Sequence, residues 1–340
     1  MKNRIIIILL IISLPILFFG NLIFGSIHIP FAQVLHILTG QEVEKASWAF
    51  IVLQSRLPQA ITAIFCGASL AVCGLLLQTY FHNPLAGPSV LGISNGASLG
   101  VAIVMLSLGS AMGPNGQMGS GLQWGGTGSV ILGAFVGAVV ITILYLIVTN
   151  YVKNNLIILI MGIMVGYLSS SAVTLLNFFA TVENVHSYVS WGMGSFSNVS
   201  VEQLPIMGFL CLLGIIPALI LIKTLDALLL GEDYARNLGI NLNVARRLIL
   251  IATGLLTAVT TAFCGPVSFI GLAVPHIARL ALKTNNHKVL MPATLLTGAI
   301  IALLCNLVCV LPQQMIIPLN AVTPLFGAPV IIYIIFKKRS

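Results

Sequence analysis

The chain has 340 residues, of which 58% are apolar and only 6% charged, with fifteen bases, seven acids and a formal net charge of +8. A soluble domain carries about 25% charged residues, so a water-soluble globule is excluded, and a mean hydropathy of +1.09 places the chain in a bilayer. The basic excess shows no stripe interleaved with aromatics, as a nucleic-acid surface would need, and is read as topology charge.

In chain order, Lys2 and Arg4 precede an apolar run, Ile5–Phe24. It is too long for a signal-peptide core and no small-residue cleavage site follows, so an uncleaved first transmembrane helix is predicted. Nine further spans near the twenty-residue crossing length are predicted at Leu57–Tyr80, Leu91–Ser110, Ser129–Asn150, Leu156–Ala180, Gln203–Lys223, Arg247–Cys264, Phe269–Lys283, Val289–Val310 and Pro324–Phe336. The eighth and tenth are short. None alternates with period two, so a membrane barrel is excluded. The fold class expected is an all-α membrane protein of about ten transmembrane helices, with residues 1–340 forming one polytopic domain.

With the N-terminus in the cytoplasm, the cytoplasmic segments hold Lys2, Arg4, Lys153, Lys223, Arg236, Arg246, Arg247, Arg279, Lys283, Lys288, Lys337, Lys338 and Arg339, and only Lys45 and Arg56 fall outside. This asymmetry satisfies the positive-inside rule, supports an even span number and puts both termini inside. Three connections stand out. External Ser26–Ser55 contains the half-apolar Phe31–Leu38, read as a short surface helix. External Ala111–Gly128 is Gly-rich and uncharged, a flexible loop. Internal Thr224–Arg246 mixes acids and bases and is the one segment that looks soluble.

Small residues recur at helical spacing at Gly92, Gly96 and Gly100, at Gly133 and Gly137, and at Gly162 and Gly166, the pattern of closely packed membrane helices. Pro217, Pro275 and Pro292 lie inside spans and predict kinks or breaks. Cys66 with Cys73, and Cys305 with Cys309, share helix faces as small packing residues; no metal ligand set is expected.

No Asp or Glu lies in the middle of a predicted span, which counts against ion-coupled carriage. No phosphate-binding G-x-x-x-x-G-K-[ST] loop occurs, so active transport would need a second polypeptide for ATP. No catalytic Ser-His-Asp or H-E-x-x-H set is present, and no catalytic residue is assigned. A stand-alone secondary transporter or channel for a large apolar solute is the alternative reading.

Three stretches carry a family resemblance. The first runs Arg56-Leu57-Pro58-Gln59, Cys66-Gly67-Ala68-Ser69-Leu70-Ala71, Gly74, Gln78, Asn83-Pro84-Leu85-Ala86-Gly87-Pro88 and Leu91-Gly92-Ile93-Ser94-Asn95-Gly96-Ala97. The second is Leu230-Gly231-Glu232 with Ala235-Arg236 and Leu238-Gly239. The third is Gly265-Pro266-Val267-Ser268-Phe269-Ile270-Gly271-Leu272 followed by Pro275-His276-Ile277-Ala278-Arg279-Leu280. In order, spacing and length the chain resembles the FecCD-type permeases, membrane subunits of ABC importers for ferric siderophores, haem and vitamin B12.

The resemblance implies the type II ABC importer permease architecture. It implies a permease homodimer or paired heterodimer, two cytosolic ABC ATPases that hold ATP and Mg, and a periplasmic or lipid-anchored binding protein. No cofactor is expected on this chain itself. The cargo implied is an iron chelate, a ferric siderophore first, with haem or cobalamin beside it. Asn83, Pro84 and Leu85 match a cytoplasmic gate, and Asn154 and Asn155 match its second element. Leu230, Gly231, Glu232, Ala235, Arg236, Leu238 and Gly239, within the amphipathic segment Asp226–Leu242, match the ATPase coupling helices. Arg56, with Gln59 nearby, matches a docking position for the binding protein. Some relatives carry further bases at Gln59 and near Gln313, which this chain lacks. Met161, Met164, Trp191 and Met193 are candidates for an apolar path. His276 belongs to the family pattern whatever the cargo, so haem ligation is not assigned to it.

Overall fold

The structure, a computed structural model, describes residues 2–108, 127–152, 154–312 and 316–337. The expected Gly-rich loop at 111–128 and the turn at Gln313 lie largely or wholly outside these residues. Among the described residues every regular element is helical. The helices are α1 (Lys2–Ile23), α2 (Phe31–Thr39), α3 (Ala46–Ile51), α4 (Leu57–Tyr80), α5 (Ile93–Ala102), α6 (Thr127–Tyr151), α7 (Asn155–Phe179) and α8 (Val182–Gly192). They continue as α9 (Leu204–Ile220), α10 (Ile222–Leu228), α11 (Glu232–Asn237), α12 (Leu242–Cys264), α13 (Ile270–Leu282), α14 (His287–Val310) and α15 (Leu319–Lys337).

Each of the ten predicted spans falls on a helix. Six helical stretches are long and apolar enough to cross a bilayer by themselves, and α9 with α10 forms a seventh, bent by 52°. The remaining three spans fall on the shorter apolar helices α5, α13 and α15. At about 1.5 Å per residue the 13 residues of α13 reach only part-way across the hydrocarbon, and the non-helical stretch from Gly265 to Phe269 precedes them. Helix α4 is buried along nearly all its length against α9, α12, α13 and α14, whereas α1, α6 and α7 present apolar faces outward. That is the surface lipid covers.

One expected boundary is corrected. The second span does not begin at Leu57. A π-helical turn, Val52–Arg56, joins α3 to α4 and makes one stretch from Ala46 to Tyr80. The wider turn accommodates Pro58, whose missing N–H and bulky ring would strain an ordinary helix interior. The connection after α7 contains α8, capped by Thr181, whose Oγ1 accepts from the Asn184 N–H. The three span prolines also differ. The break expected near Pro217 comes at Leu221, between α9 and α10, while Pro275 and Pro292 sit inside uninterrupted helices. The surface helix expected at Phe31–Leu38 is α2, and all six cysteines are free and buried among the helices.

The paired glycines meet each other. A Cβ on Gly100 would overlap the carbonyl oxygen of Gly133, and one on Gly137 would overlap that of Gly96, so α5 lies backbone-to-backbone on α6. Gly67 and Gly298 do the same for α4 and α14, and Gly74 and Gly271 for α4 and α13. At the last crossing Pro275, lacking an N–H, cannot take the i→i−4 bond to the Gly271 carbonyl, and that oxygen faces Gly74. A buried amide pair fixes α1 on α14. Asn306 Nδ2 donates to Asn21 Oδ1 at 2.8 Å, and Asn21 Nδ2 donates to the Leu303 carbonyl at 3.2 Å.

Candidate gate, coupling and docking sites

The turns expected to be internal gather at one end of the bundle. Arg246 donates to the Thr149 carbonyl (3.3 Å) and Arg247 to Asn150 Oδ1 (2.9 Å), which joins the start of α12 to the end of α6. His82 Nε2 lies 2.8 Å from the Leu228 carbonyl, and Asp226 binds His287 at the start of α14. This basic end therefore carries the loop after α4, the α6–α7 turn, α10, α11 and the α13–α14 turn.

The candidate gate lies in the loop between α4 and α5. His82 ends α4 with a left-handed φ of 49°, a conformation more tolerable for His than for branched residues. Asn83 Oδ1 accepts from the Leu85 N–H at 2.9 Å and the Asn83 carbonyl accepts from Ala86 at 3.1 Å, so two hydrogen bonds close the turn. The Pro84 carbonyl lies 2.7 Å from His276 Nε2 of α13, which gives the Pro-His pair a structural partner. Gly87 and Pro88 then lie along the first turns of α13, against Leu272 and Gly271. The loop enters α5 at Gly92 (φ 70°), where a side chain would press on the Gly162 carbonyl at 2.9 Å. The loop is thus wedged between α13 and α7, with Leu85 exposed. Asn154, the second gate candidate, caps α7 through its Oδ1 and the Leu156 N–H (2.9 Å), and Asn155 is the first residue of that helix. The hydrogen bonds of Asn83 and Asn154 stay within their own turns.

The coupling candidates run from the turn after α10 through α11 to the turn that follows it. Gly231 (φ 111°) and Gly239 (φ 81°) bracket α11 in conformations that suit glycine. Ala235 is buried against the bundle, while Leu230 (66% exposed), Tyr234 and Leu238 (59% exposed) point away from it, among Asp233 and Arg236. Glu232 and Asp233 in the first turn of α11, and Arg236 in its last, complement the helix dipole. The result is a short amphipathic segment, α11 with its flanking turns, whose apolar side chains face out at the basic end of the molecule.

Arg56 is placed otherwise than expected. A docking residue at a water-exposed rim would be accessible, yet Arg56 is 6% exposed. Its Nη1 donates to the Leu22 and Ile23 carbonyls, both at 2.8 Å, and its Nη2 donates to the Ile27 carbonyl. The first two are carbonyls that the end of α1 cannot satisfy internally, and the third belongs to the bend that follows it. Gly25 makes room for the guanidinium, since a Cβ there would lie 2.7 Å from Nη2. Gln59, three residues on, is half-buried. Arg56→Ala should therefore act on the fold. The Leu22 and Ile27 carbonyls lose their donor and the Ile23 carbonyl keeps only the Ile29 N–H at 3.3 Å, and each buried unsatisfied group costs about 1–3 kcal/mol. The thermal midpoint of the purified protein should fall, and segment 24–30 should become sensitive to protease, with Arg56→Lys recovering only part. An unchanged midpoint, with salt-dependent loss of binding-protein capture, would return Arg56 to docking.

The path candidates are not one group. Met164 is exposed on the outward face of α7 and Met161 is half-buried. Trp191 is buried at the end of α8, stacked on Tyr188 with centroids 6.2 Å apart, as a packing residue would be. Met193 is exposed beside a hub that sequence reasoning missed. Asn320 Nδ2 donates to the Gly192 (3.0 Å) and Pro266 (2.5 Å) carbonyls, and its Oδ1 accepts from the Ser268 N–H at 3.1 Å. One amide thus pins α8, the stretch before α13 and α15 together at the end opposite the basic turns. Asn320 gives no signal in sequence beyond being a polar residue in an apolar run.

The profile of the FecCD transport family matches residues 8–337. The vitamin B12 import system permease protein BtuC of Salmonella typhi is 34% identical over 324 residues, covering 92% of this chain and 94% of that protein. The permease of the same name from Salmonella typhimurium matches to the same extent. A solved structure described as a metal-chelate-type ABC transporter in an inward-facing conformation superposes with a TM-score of 0.78 at 28% identity, covering 98% of this chain and 99% of that one. A helix at each of the ten predicted spans, a loop wedged between α13 and α7, an exposed amphipathic segment at the basic end and this whole-length match agree: the chain belongs to the FecCD transport family, as a multi-pass membrane permease of the ABC importer type.

Proposed function

We propose that the chain is the translocating subunit of an importer for a large metal chelate, driven by ABC ATPases that dock on α10 and α11. The observation that carries this reading is the exposed apolar triplet Leu230, Tyr234 and Leu238 on a charged segment that, by the positive-inside rule, faces the cytoplasm. A protein working alone has no use for such a surface, whereas a partner groove would bury it. The permease acts as a dimer, homodimeric or paired, and receives its cargo from a binding protein on the far side. The loop Asn83–Leu85 with Asn154 and Asn155 serves as the cytoplasmic gate.

The cargo is a chelate that brings its own ligands to the metal: a ferric siderophore, haem or a corrinoid. The relatives named for vitamin B12 and for metal chelates support that class. The test is ATP-driven uptake into vesicles holding the full complex, with labelled cyanocobalamin, ferric hydroxamate siderophore and haem in separate arms. Saturable uptake of one of them supports the class; uptake of none, with a coupled ATPase present, overturns it. Orientation is tested separately. Asn237→Cys in α11 should react with an impermeant thiol reagent only in inside-out vesicles. Labelling from the outside of intact cells would invert the topology.

A further inference from the structure

Three of the six histidines lie at the basic end, and each bonds across elements. His82, on the turn that leaves α4, reaches the Leu228 carbonyl at the end of α10 (2.8 Å). His276 of α13 reaches the Pro84 carbonyl within the gate loop (2.7 Å). His287 opens α14. Its backbone N–H and its Nδ1 both lie 2.8 Å from Asp226 Oδ1 of α10, and its Nε2 lies 3.0 Å from Thr79 Oγ1 in the last turn of α4. The His287 side chain is fully enclosed, while Asp226 keeps a third of its side chain exposed.

These links form a connected frame. Asp226 and Leu228 sit on α10, which turns 52° away from α9 and leads directly into α11. Thr79 and His82 flank the end of α4, four residues and one residue ahead of Asn83. The coupling segment is therefore tied to the gate loop at two points, through Asp226–His287–Thr79 and through Leu228–His82. The far side of the loop is held on α13 by His276. Apolar packing between helices can slide, but a hydrogen bond of fixed length and direction in a water-poor setting resists displacement. Movement of α10 thus pulls on Thr79 and His82, and so on the turn that ends in Asn83, Pro84 and Leu85.

From this geometry we infer that Thr79, His82, Asp226 and His287 are the positioning residues that transmit displacement of the coupling segment to the gate loop. The inference rests on the reading of α10–α11 as the ATPase contact and adds the route from that contact to the gate. None of the four touches cargo or nucleotide; each acts through the loop.

The test uses the full complex, purified with its ATPase and reconstituted, with cargo moved per ATP hydrolysed as the readout. The variants are Thr79→Val, which keeps volume and deletes the hydroxyl, His82→Leu, and Thr79→Ser as the conservative control. Thr79→Val and His82→Leu should retain ATPase assembly and basal hydrolysis, while cargo moved per ATP falls about fivefold or more, the scale of a coupling free energy between sites. Thr79→Ser should restore the wild-type ratio. If the ratio is unchanged in both variants, or falls only in step with assembly and thermal midpoint, the side chains are structural and the inference is overturned. If the wild-type chain holds no ATPase at all, the coupling reading falls and this inference with it. If wild type is coupled and the variants are too, this inference alone falls.

Discussion

Valine at position 74 is expected to leave no assembled bundle. Gly74 meets Gly271 where α4 crosses α13, and a Cβ there would overlap the Gly271 carbonyl oxygen. Both partners are backbone, so no side chain can rotate away. The helices must part, and α4 is the element against which four others pack. Overpacking a core typically costs about 1–3 kcal/mol. Separating two backbones at the centre of the bundle belongs at the top of that range or beyond it, on the order of 3–5 kcal/mol. The measurement is the yield of monodisperse detergent-purified protein and its thermal midpoint. Gly20→Val is the control: Gly20 is also a helical glycine, but nothing lies within 4 Å of a Cβ placed there. Normal yield of Gly74→Val would refute the close crossing.

The second large effect is at the coupling surface. Leu230→Asp combined with Leu238→Asp should abolish ATPase association while leaving the permease folded. Both side chains point away from the bundle, so their loss removes nothing from the core. Burying a leucine fully is worth about 1.5–3 kcal/mol. Losing two such anchors, and placing two carboxylates where apolar contact is expected, should weaken association by about a hundredfold or more. Co-purification of the ATPase with a tagged permease measures this directly. A variant that retains its ATPase would move the contact elsewhere on the basic end.

The parts of this structure that a bilayer dictates were readable from the chain. Lipid requires long apolar helices and sorts Lys and Arg to one side, so all ten spans and the gathering of the basic turns followed from composition and charge. The glycine spacing at Gly96, Gly100, Gly133 and Gly137 was legible too, although which glycine meets which is a tertiary matter. Other features depend on partners far away in sequence. Gln54, Ser55 and Arg56 look like a polar loop until Leu22, Ile23 and Ile27 supply the carbonyls that bury the guanidinium. Val182–Gly192 is too polar and short to announce itself as a span, and it folds as α8 on its Thr181 cap. His276 belonged to the family pattern with no role assigned to its side chain, and its Pro84 partner lies 192 residues away. The frame of Thr79, Asp226 and His287 was invisible for the same reason, since no local pattern marks a serviceable hydrogen bond across more than sixty residues.

The proposed function requires a docked ATPase to power this permease. The most direct measurement is Mg-ATP hydrolysis by the tagged chain purified from native membranes in mild detergent. The chain carries no phosphate-binding loop of its own, so hydrolysis should co-elute with a second, P-loop-bearing polypeptide in equal amount to the permease. That activity should vanish in the Leu230→Asp, Leu238→Asp variant. A chain that elutes without such a partner, and that moves its solute down a gradient with no dependence on ATP, would contradict it.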